Sequence, residues 1–434
     1  MFGLTKKNAD SAAVAYDRGD LSRALKLARK GLRKNPRDTG LMLIAGNVFY
    51  VRQDYRQADF WYQKILELQP LHPQAGVNHG EVLLLLGDYQ GAAAAAAVLE
   101  DKAAAVLLQA KIDFEQENYP RAEAGLSEFL KHDPQHFWGW NLLSQTAQKN
   151  AHWELALMSA WQAVKKSGGA DSQHLNMAYA LYEIALETGV ETVLPVLKKW
   201  CAEYAGNGIV EQTRNAFFPN EDFGKSDEFY IRCVFDNFAD FFEQTLQALD
   251  YHAPELIAAE IERRRDIFSS SVVRILDAGC GTGLCAPHLD SLFKKYRLFG
   301  VDLSARMLAA AAAKKLYCRL ENEELETYLR RHKNAFDLIV AADVVTYFGA
   351  LESLLFGCFE GLSSGGLLVF TVTANIFNDK PWFQHLSGRF VHAEKYVRHT
   401  LSASGFSDLG FTAAALRREG EKEVRGWIVS AVKK

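Results

Sequence analysis

The sequence lacks the features that mark membrane-spanning, secreted and disulfide-rich proteins. No apolar run approaches the roughly 18 residues that a membrane-spanning helix needs. The opening segment has no apolar stretch behind its positive residues, so we do not expect a secretory signal there. The 6 cysteines lie singly, without C-x-x-C spacing, which argues against a disulfide framework and against structural zinc. Together these observations predict a cytoplasmic protein.

An excess of basic charge is missing as well. Lysine and arginine number 49 and aspartate and glutamate number 53, which gives a net charge of −4. This balance gives no reason to expect nucleic-acid binding. The hydrophobic fraction of 49% and the charged fraction of 24% are ordinary for a folded protein. A length of 434 residues allows two large domains, or about three of average size.

One short phrase recurs along the first half of the chain. It is DLSRA at residues 20–24, DYRQA at 54–58 and DYQGA at 88–92, with weaker copies at 118–122 and 152–156. The alanines that close these phrases are separated by 34, 34, 30 and 34 residues. Gly46 and Gly80 are also 34 residues apart. Self-similarity at a fixed period of this length indicates a repeat architecture.

This period, with a small residue in the first helix and an alanine in the second, resembles tetratricopeptide repeats. Each such repeat is a pair of antiparallel helices, and glycine or alanine is needed where the two backbones approach closely. We predict five repeats over residues 5–168 and a further helical pair over 172–205. The 30-residue interval predicts a shortened inter-repeat turn between about 98 and 106.

The resemblance implies a concave groove, which such stacks use to hold peptides or partner proteins. A protein or peptide partner in this groove is one expectation, and a scaffold that only orients or dimerises the next domain is the other. Repeat one also carries basic residues at spacings of three and four, namely Lys26, Arg29, Lys30, Arg33, Lys34 and Arg37. The stripe can attract an acidic partner or phosphates, but we favour a solvated cap at the end of the stack.

The pattern changes after a polar, glycine-bearing stretch at 206–227, which we interpret as a linker. Short apolar runs then alternate with helical segments, and they lie at 272–278, 296–302, 336–342 and 367–373. This alternation predicts a mostly parallel, doubly wound sheet with helices on both faces. Two last strands, near 406–415 and 424–432, flank the polar sequence RREGEKE and predict an antiparallel hairpin. A Rossmann-like sheet that ends in such a hairpin resembles the class I methyltransferase fold.

A glycine-rich loop follows the first of these strands. Residues 275–283 read ILDAGCGTG, so Asp277 closes a buried strand and three alternating glycines lead into a helix. Glycine is required where a side chain would keep the backbone away from a ligand. The next strand ends in Asp302, where a carboxylate can accept hydrogen bonds from both ribose hydroxyls of an adenosine. The pattern predicts a nucleoside-containing cofactor at the carboxyl ends of the strands.

Two cofactors fit this spacing. Gly281, Gly283 and Ala286 satisfy the degenerate G-x-G-x-x-A fingerprint of NAD(P)-dependent enzymes, and Asp302 stands 19 residues beyond Gly283. The same residues resemble an S-adenosylmethionine site. Asp277 directly before the glycines and the terminal hairpin both favour the methyl donor. We therefore expect S-adenosylmethionine, with a nicotinamide enzyme as the alternative.

Motifs throughout the second half resemble bacterial tetratricopeptide-repeat-containing predicted methyltransferases of class I. The matching segments are FDNFADFFE at 235–243, GVDLSARML at 300–308, DLIVAADV at 337–344 and GRFVHAE at 388–394. The resemblance implies an S-adenosylmethionine-dependent methyltransferase with a repeat domain at 1–205 and a linker at 206–227. Its catalytic domain then covers 228–434 and begins with a helical segment at 228–265.

The same resemblance implies which residues hold the cofactor. The glycine loop lies under the methionine portion and Asp302 lies on the ribose. Glu324 stands in the stretch where the family has an aspartate near the adenine amine. We interpret Cys280, inside the loop, as a small neutral filler. The cofactor-binding residues that we predict are Asp277, Gly279, Cys280, Gly281, Gly283, Asp302, Leu303, Met307, Glu324 and Ala342.

Methyl transfer requires mainly positioning and desolvation, because the sulfonium already activates the methyl carbon. A base is needed only if the acceptor carries a proton. The residues that we predict to be catalytic are Asp343, Tyr347, Arg389 and His392. Asp343 can orient or deprotonate an acceptor, or else cap the next helix. Arg389 with His392 as the base suits an anionic or carbonyl acceptor; the alternative is a surface arginine and a loop histidine.

Two forms of the function remain open in the sequence. In one, the repeats recruit or position a protein or carrier-bound acceptor; in the other, a small-molecule or sugar methyltransferase uses them as an oligomerisation scaffold. Phe235, Phe238 and Phe242 form a helical stripe that is mostly core, although its end near Tyr230 can serve as a lid. We expect no metal, because no cluster of ligating residues has metal spacing. We expect no membrane contact.

Overall fold

The structure is a computed structural model that describes residues 2–220, 223–268, 272–419 and 422–434. The chain forms two compact units, which divide between Ala180 and Leu181. This division falls within a helix, earlier in the chain than the predicted domain boundary at residue 205. No helix in the described ranges is both long enough and apolar enough to cross a membrane.

The first unit consists of helices that pack as consecutive pairs. The pairs are α1 (Phe2–Asp17) with α2 (Leu21–Leu32), α3 (Thr39–Val51) with α4 (Tyr55–Leu68), α5 (Pro73–Leu85) with α6 (Tyr89–Ala97), α7 (Lys102–Glu115) with α8 (Tyr119–His132), and α9 (Phe137–Lys149) with α10 (Trp153–Lys166). A further helix, α11 (Asp171–Thr188), spans the division between the units. This arrangement confirms the predicted array of helical repeats.

The recurring phrase marks the start of the second helix in the first three pairs. Asp20, Asp54 and Asp88 are N-cap residues, and each carboxylate accepts a hydrogen bond from the backbone N–H three residues later. Such a cap stabilises a helix by about 1 kcal/mol. The alanine that closes each phrase is fully buried. A Cβ on Gly46 would lie 2.5 Å from the ring of Tyr62, so a small residue is required there as well.

The 30-residue interval has a different origin from the one that the sequence predicts. Residues 98–101 separate α6 from α7, and an equally short segment, residues 69–72, separates α4 from α5. The turn is therefore not shortened. Instead α6 spans 9 residues, whereas α4 and α8 span 14 each. The next helix begins early because the Asp101 carboxylate caps it, accepting hydrogen bonds from the N–H groups of Ala103 and Ala104.

The second unit begins with helices before its sheet. They are α12 (Val190–Glu203), α13 (Gly208–Phe217), α14 (Glu228–Phe238), α15 (Phe242–Ala248) and α16 (Ala253–Arg263). Residues 206–227, predicted to be a linker, contain α13, in which Ile209 and Val210 are buried. Gln212 on the same helix donates a hydrogen bond from Nε2 to the carbonyl of Gly388 at 2.9 Å. This stretch is folded structure rather than a flexible connection.

A mixed sheet forms the centre of the second unit. Its strands are β1 (Val273–Ala278), β2 (Tyr296–Asp302), β3 (Arg319–Asn322), β4 (Phe336–Ala341), β5 (Leu362–Thr373), β8 (Phe406–Glu419) and β9 (Lys422–Lys433). They lie in the order β3-β2-β1-β4-β5-β9-β8. The first five are parallel, whereas β9 runs antiparallel to both β5 and β8. The predicted fold class is thus confirmed. A separate small ribbon pairs β6 (Trp382–Gln384) with β7 (Phe390–His392).

Helices cover both faces of the sheet, as a buried parallel sheet requires. After α16 the helices are α17 (Ala286–Leu292), α18 (Ala305–Ala313), α19 (Leu325–Arg331), α20 (Glu352–Gly361) and α21 (Glu394–Ala403). One apolar core contains Leu329, Leu355 and Val397 from three of these helices. The other contains Ile261 and Leu289. The strand order reverses between β1 and β4, and sheets of this type bind ligands beyond the carboxyl ends of the strands at such a point.

The terminal hairpin is longer than the sequence predicts. Within residues 417–423, predicted as a polar turn, Arg417 pairs with Val424 and Glu419 pairs with Lys422 as strand residues. Residues 420–421 lie outside the described residues. Arg417 is only 3% exposed, so the prediction of a solvated turn is wrong at this position.

Candidate active site

The glycine loop connects β1 to α17 and forms one wall of a pocket at the switch point. Gly279 and Gly281 line this pocket, with φ angles of +64° and +53° that favour glycine. A Cβ on Gly279 would lie 2.4 Å from Cγ2 of Val344, so a larger residue is excluded there. A Cβ on Gly281 would meet only the ring of Phe242, at 3.8 Å. The loop backbone at Gly281 is therefore open to a ligand.

Asp302, at the end of β2, fixes the loop. One carboxylate oxygen accepts a hydrogen bond from the N–H of Gly281 at 2.8 Å, and the other accepts one from the N–H of Ser304 at 2.8 Å. Burial raises the pKa of this carboxyl, and the two backbone hydrogen bonds act in the opposite direction. Asp302 and its neighbour Leu303 both line the pocket. The carboxylate thus connects the two motifs that the sequence singles out.

Four predicted cofactor residues do not lie on the pocket wall. They are Asp277, Cys280, Gly283 and Met307. Asp277 is 1% exposed and accepts a hydrogen bond from the hydroxyl of Tyr317 at 2.7 Å. Burial, opposed by this hydrogen bond, raises the pKa of Asp277 to about 7. Met307 is fully buried and Cys280 nearly so, which makes them core residues instead of direct contacts.

Glu324 lies on the pocket wall, as the sequence predicts, and it is held by two sets of partners. Its carboxylate caps α19 by accepting hydrogen bonds from the N–H groups of Glu326 and Thr327. It also pairs with Nζ of Lys225 at 2.8 Å, and Lys225 contacts Glu326 at 2.6 Å. Lys225 itself lines the pocket and belongs to the stretch that was predicted as a linker.

Asp343 follows β4 and lines the pocket beside Ala342. Its φ of +59° is unusual for a residue other than glycine, and its N–H donates a hydrogen bond to Oγ1 of Thr371 at 2.8 Å. Its carboxylate accepts hydrogen bonds from Nη1 of Arg417 at 3.0 and 3.3 Å. Val344, not Asp343, stands at the N-cap of the following 3-10 turn at Val345–Tyr347. The alternative role as a helix cap is therefore wrong.

Tyr347 and Arg389 are close to Asp343, as the sequence predicts. Both line the pocket, and the Tyr347 hydroxyl is hydrogen-bonded to Arg389. Burial raises the pKa of Tyr347. Tyr251, which the sequence analysis did not identify, joins this group on the pocket wall, and burial raises its pKa well above the usual value.

His392 does not belong to this group. It is fully buried in β7, and its Nε2 donates hydrogen bonds to the carbonyls of Phe348 at 2.8 Å and Gly349 at 3.1 Å. Burial lowers the pKa of His392 to about 4, so the ring is neutral at physiological pH. Since it is not on the pocket wall either, the prediction that His392 acts as a base does not agree with the structure. The hydrogen bonds instead hold the segment that follows Tyr347.

Aromatic side chains close another side of the pocket. The predicted continuous stripe is divided between two helices, because α14 ends at Phe238 and α15 begins at Phe242. Phe235 and Phe242 line the pocket with ring centroids 6.0 Å apart, while Phe238 and Tyr230 do not line it. Phe235 also packs edge-on against Tyr347 at 5.7 Å. Part of the stripe is therefore pocket wall and not core.

Three pocket residues escape sequence reasoning, namely Lys225, Tyr251 and Arg417's partner position on the hairpin. Arg417 and Lys225 contact residues 74 and 99 positions away in the chain. A local motif carries no signal of this kind. Within the described part of the chain, no group of three or more His, Cys, Asp or Glu side chains is arranged to hold a metal ion.

Comparison with known protein families assigns both halves of the chain. Residues 275–366 match the methyltransferase domain family, and residues 10–70 match the tetratricopeptide repeat family. The chain therefore joins tetratricopeptide repeats to a methyltransferase domain. This assignment confirms the predicted resemblance, and S-adenosylmethionine is the methyl donor of this class of domain.

Curated relatives cover part of the second half. Malonyl-[acyl-carrier protein] O-methyltransferase of Bacillus anthracis is 27% identical over 155 residues, which are 34% of this chain and 52% of that protein. Trans-aconitate 2-methyltransferase of Deinococcus radiodurans is 32% identical over 103 residues, or 24% of this chain and 38% of that protein. The chain thus spans about half the length or less of the curated relatives it matches.

Solved structures resemble each half separately. Magnesium protoporphyrin IX methyltransferase from Synechocystis, crystallised with S-adenosylhomocysteine, aligns with 48% of this chain and 100% of its own, at a TM-score of 0.36 and 14% identity. The type IV pilus biogenesis factor PilW aligns with 48% of this chain and 97% of its own, at a TM-score of 0.41 and 14% identity.

Proposed function

We propose that this protein transfers a methyl group from S-adenosylmethionine to an acceptor bound in the same pocket. The observation that carries the proposal is the hydrogen bond from Gly281 N–H to Asp302, at the switch point of a methyltransferase domain. This contact joins a glycine loop to an acid at the end of the next strand, as an adenosyl ligand requires. The cytoplasmic location stays a prediction from the sequence.

The pocket residues fit this cofactor. The backbone at Gly281 is open toward the pocket, whereas a side chain there would occupy it. The glycine loop would hold the methionine portion, Asp302 the ribose hydroxyls, and Leu303 with Glu324 the adenine side. The bound cofactor supplies an electrophilic methyl group on a sulfonium sulfur.

The remaining pocket residues prepare the site for the reaction. Phe235, Phe242 and Leu246 present apolar surface on the pocket wall. Exclusion of water by such a wall strengthens the electrostatic interactions inside the site. Tyr347 and Arg389 provide polar groups that can orient the acceptor, and orientation supplies much of the rate of a displacement reaction.

The test of the donor site is Asp302→Ala, measured by calorimetric titration with S-adenosylmethionine. The variant loses both the ribose contact and the hydrogen bond that fixes Gly281, so we expect affinity to fall at least about 100-fold, or roughly 2.7 kcal/mol. Asp290→Ala, an exposed acid on α17, is the matched control and should bind as the wild type does. Unchanged affinity of Asp302→Ala would remove Asp302 from the site, and tight binding of NAD instead would favour the nicotinamide alternative.

We further propose that the repeats recruit or position a protein or carrier-bound acceptor. Polar side chains on the first helices of neighbouring repeats are connected: Asn78 donates to Asn47 at 3.0 Å, and Lys111 pairs with Glu81 at 2.6 Å. Such a continuous polar row supports a role in binding an extended partner. The malonyl-[acyl-carrier protein] O-methyltransferases, whose name includes a carrier protein, support the carrier-bound form. A small-molecule or sugar acceptor, with the repeats as a scaffold, is the alternative.

A further inference from the structure

One part of the pocket wall combines a cation with two phenols. Arg389, Tyr347 and Tyr251 lie there together with Asp343. These groups are close enough to influence one another's charge, and the Tyr347 hydroxyl is hydrogen-bonded to Arg389. Building on the proposed methyltransferase function, we propose that the methyl acceptor is a carboxylate and that the guanidinium of Arg389 binds it.

The charge of Asp343 is already compensated. Both of its carboxylate oxygens accept hydrogen bonds from Arg417, which is 3% exposed and reaches it from the terminal hairpin. The ion pair keeps Asp343 from acting as a base and reduces its repulsion of an anion. A carboxylate acceptor can therefore approach this wall without meeting an unpaired negative charge from Asp343.

Arg389 has the shape that carboxylate binding requires. A guanidinium carries five N–H donors in a planar fork, and it matches the two oxygens of a carboxylate in bidentate geometry. The same group can hold the Tyr347 hydroxyl and an acceptor at once, because these donors point in different directions. Gly388, directly before Arg389, is fixed by hydrogen bonds that its carbonyl accepts from Gln212 and Gln384. The backbone that presents Arg389 is thus anchored.

The wall lacks a group suited to remove a proton from an acceptor. Burial raises the pKa of both Tyr251 and Tyr347, so neither is a phenolate at neutral pH. Asp343 is paired with Arg417, and His392 lies in the core. Among the described residues on this wall, none is placed as a general base. An acceptor that is already ionised needs none, and a carboxyl with its usual pKa of about 4 is ionised at neutral pH.

The reaction balances without a proton transfer. A carboxylate oxygen forms a bond to the methyl carbon while the carbon–sulfur bond breaks, and the electron pair of that bond stays on sulfur. The sulfonium charge and the carboxylate charge disappear together. The products are a methyl ester and S-adenosylhomocysteine.

The test uses the chemical stability of the product. The full-length protein is incubated with methyl-labelled S-adenosylmethionine and an extract of its own cells, and the products are then treated with mild alkali. Methyl esters release labelled methanol under these conditions, whereas methylated amines and ethers do not. Arg389→Gln and Arg389→Lys are compared with Arg330→Gln, an exposed arginine on α19. Calorimetry with S-adenosylmethionine is run on each variant.

We expect wild-type label to be released by alkali, and Arg389→Gln to reduce that label at least about 10-fold, the effect of losing a charge-assisted hydrogen bond. Arg389→Lys should retain part of it, Arg330→Gln all of it, and donor affinity should be unchanged throughout. Alkali-stable label, or full labelling by Arg389→Gln, would overturn the carboxylate assignment while leaving methyl transfer intact. No transfer by the wild type would instead overturn the proposed function, and this inference with it.

Discussion

At the scale of single residues, buried carboxyl groups surround the glycine loop. Asp302 holds the loop from the pocket side through Gly281 N–H. Asp277 lies outside the pocket wall and is bound by the Tyr317 hydroxyl. The two acids raise each other's pKa only in part, because burial is the main cause for Asp277. One acid is thus placed for a ligand and the other for the stability of the loop.

Asp277 gives the domain a pH-dependent stability. Its pKa is about 7 in the folded protein and about 4 when unfolded, so between these values only the folded form holds the proton. Stability from this group is complete below pH 4 and is lost as pH rises toward 7, by up to about 1.4 kcal/mol per pH unit. Asp277→Asn removes this dependence. Relative to the wild type, the Tm of the variant should therefore rise between pH 5 and pH 7.

The Tm to follow is that of the transition that S-adenosylmethionine raises, because a ligand stabilises the unit that binds it. Asp290→Asn serves as the control, since Asp290 is exposed. A difference between Asp277→Asn and the wild type that does not change with pH would contradict the assignment of a raised pKa to Asp277.

The local motif predicts this part of the site and misses the rest for a physical reason. Gly279, Gly281 and Asp302 lie within one strand–loop–helix–strand unit, whose geometry follows from short-range rules. Arg389 and Tyr347 were found through the family resemblance. His392 was assigned wrongly because a sequence gives its neighbours along β7 but not its burial.

At the scale of elements, the terminal hairpin is part of the site. The pairing of β8 with β9 continues to Glu419 and Lys422, which brings Arg417 to Asp343 after β4. A polar sequence was interpreted as a turn because turns and long ion-paired strands share a composition. Only the register of the hairpin shows that Arg417 points inward while Arg418 is exposed.

Arg417→Met tests the contribution of this ion pair. Removing one partner leaves the other charge uncompensated in a poorly solvated place, which costs about 3 kcal/mol. We expect the free energy of unfolding of this domain to fall by that amount. The double variant Arg417→Met/Asp343→Asn should recover part of the loss, since it leaves no unpaired charge.

Arg418→Met is the neighbouring control and should change stability by less than about 0.5 kcal/mol, because this side chain is exposed. Equal losses in the two single variants would mean that the Asp343 pair contributes nothing specific.

At the scale of the whole molecule, the repeats and the methyltransferase domain were both predictable from the sequence. A 34-residue period and buried alanines are signals that every repeat reinforces. The shortening of α6 was not predictable, because an early N-cap at Asp101 looks the same in sequence as a short turn. The helix α13 was missed because its polar composition hides a buried face.

Lys111→Glu tests whether the polar row of the repeats binds the acceptor. The substitution places a negative charge beside Glu81 on the first helices. We expect labelling of the protein fraction of an extract to fall several-fold, with donor affinity unchanged. Lys131→Glu alters a similar pair with Glu128 on α8, where both side chains are exposed, and should have no effect. Equal labelling by the two variants would leave the row without a role in recruitment.

The most direct test of the central claim is transfer of label from methyl-labelled S-adenosylmethionine to an extract of the protein's own cells, followed separately in protein and in small molecules. The account predicts incorporation by the wild type, chiefly into protein or a carrier-bound acceptor, and none by Asp302→Ala. Label in small molecules alone would reduce the repeats to a scaffold. No incorporation by the wild type, or equal incorporation by the two proteins, would contradict the account.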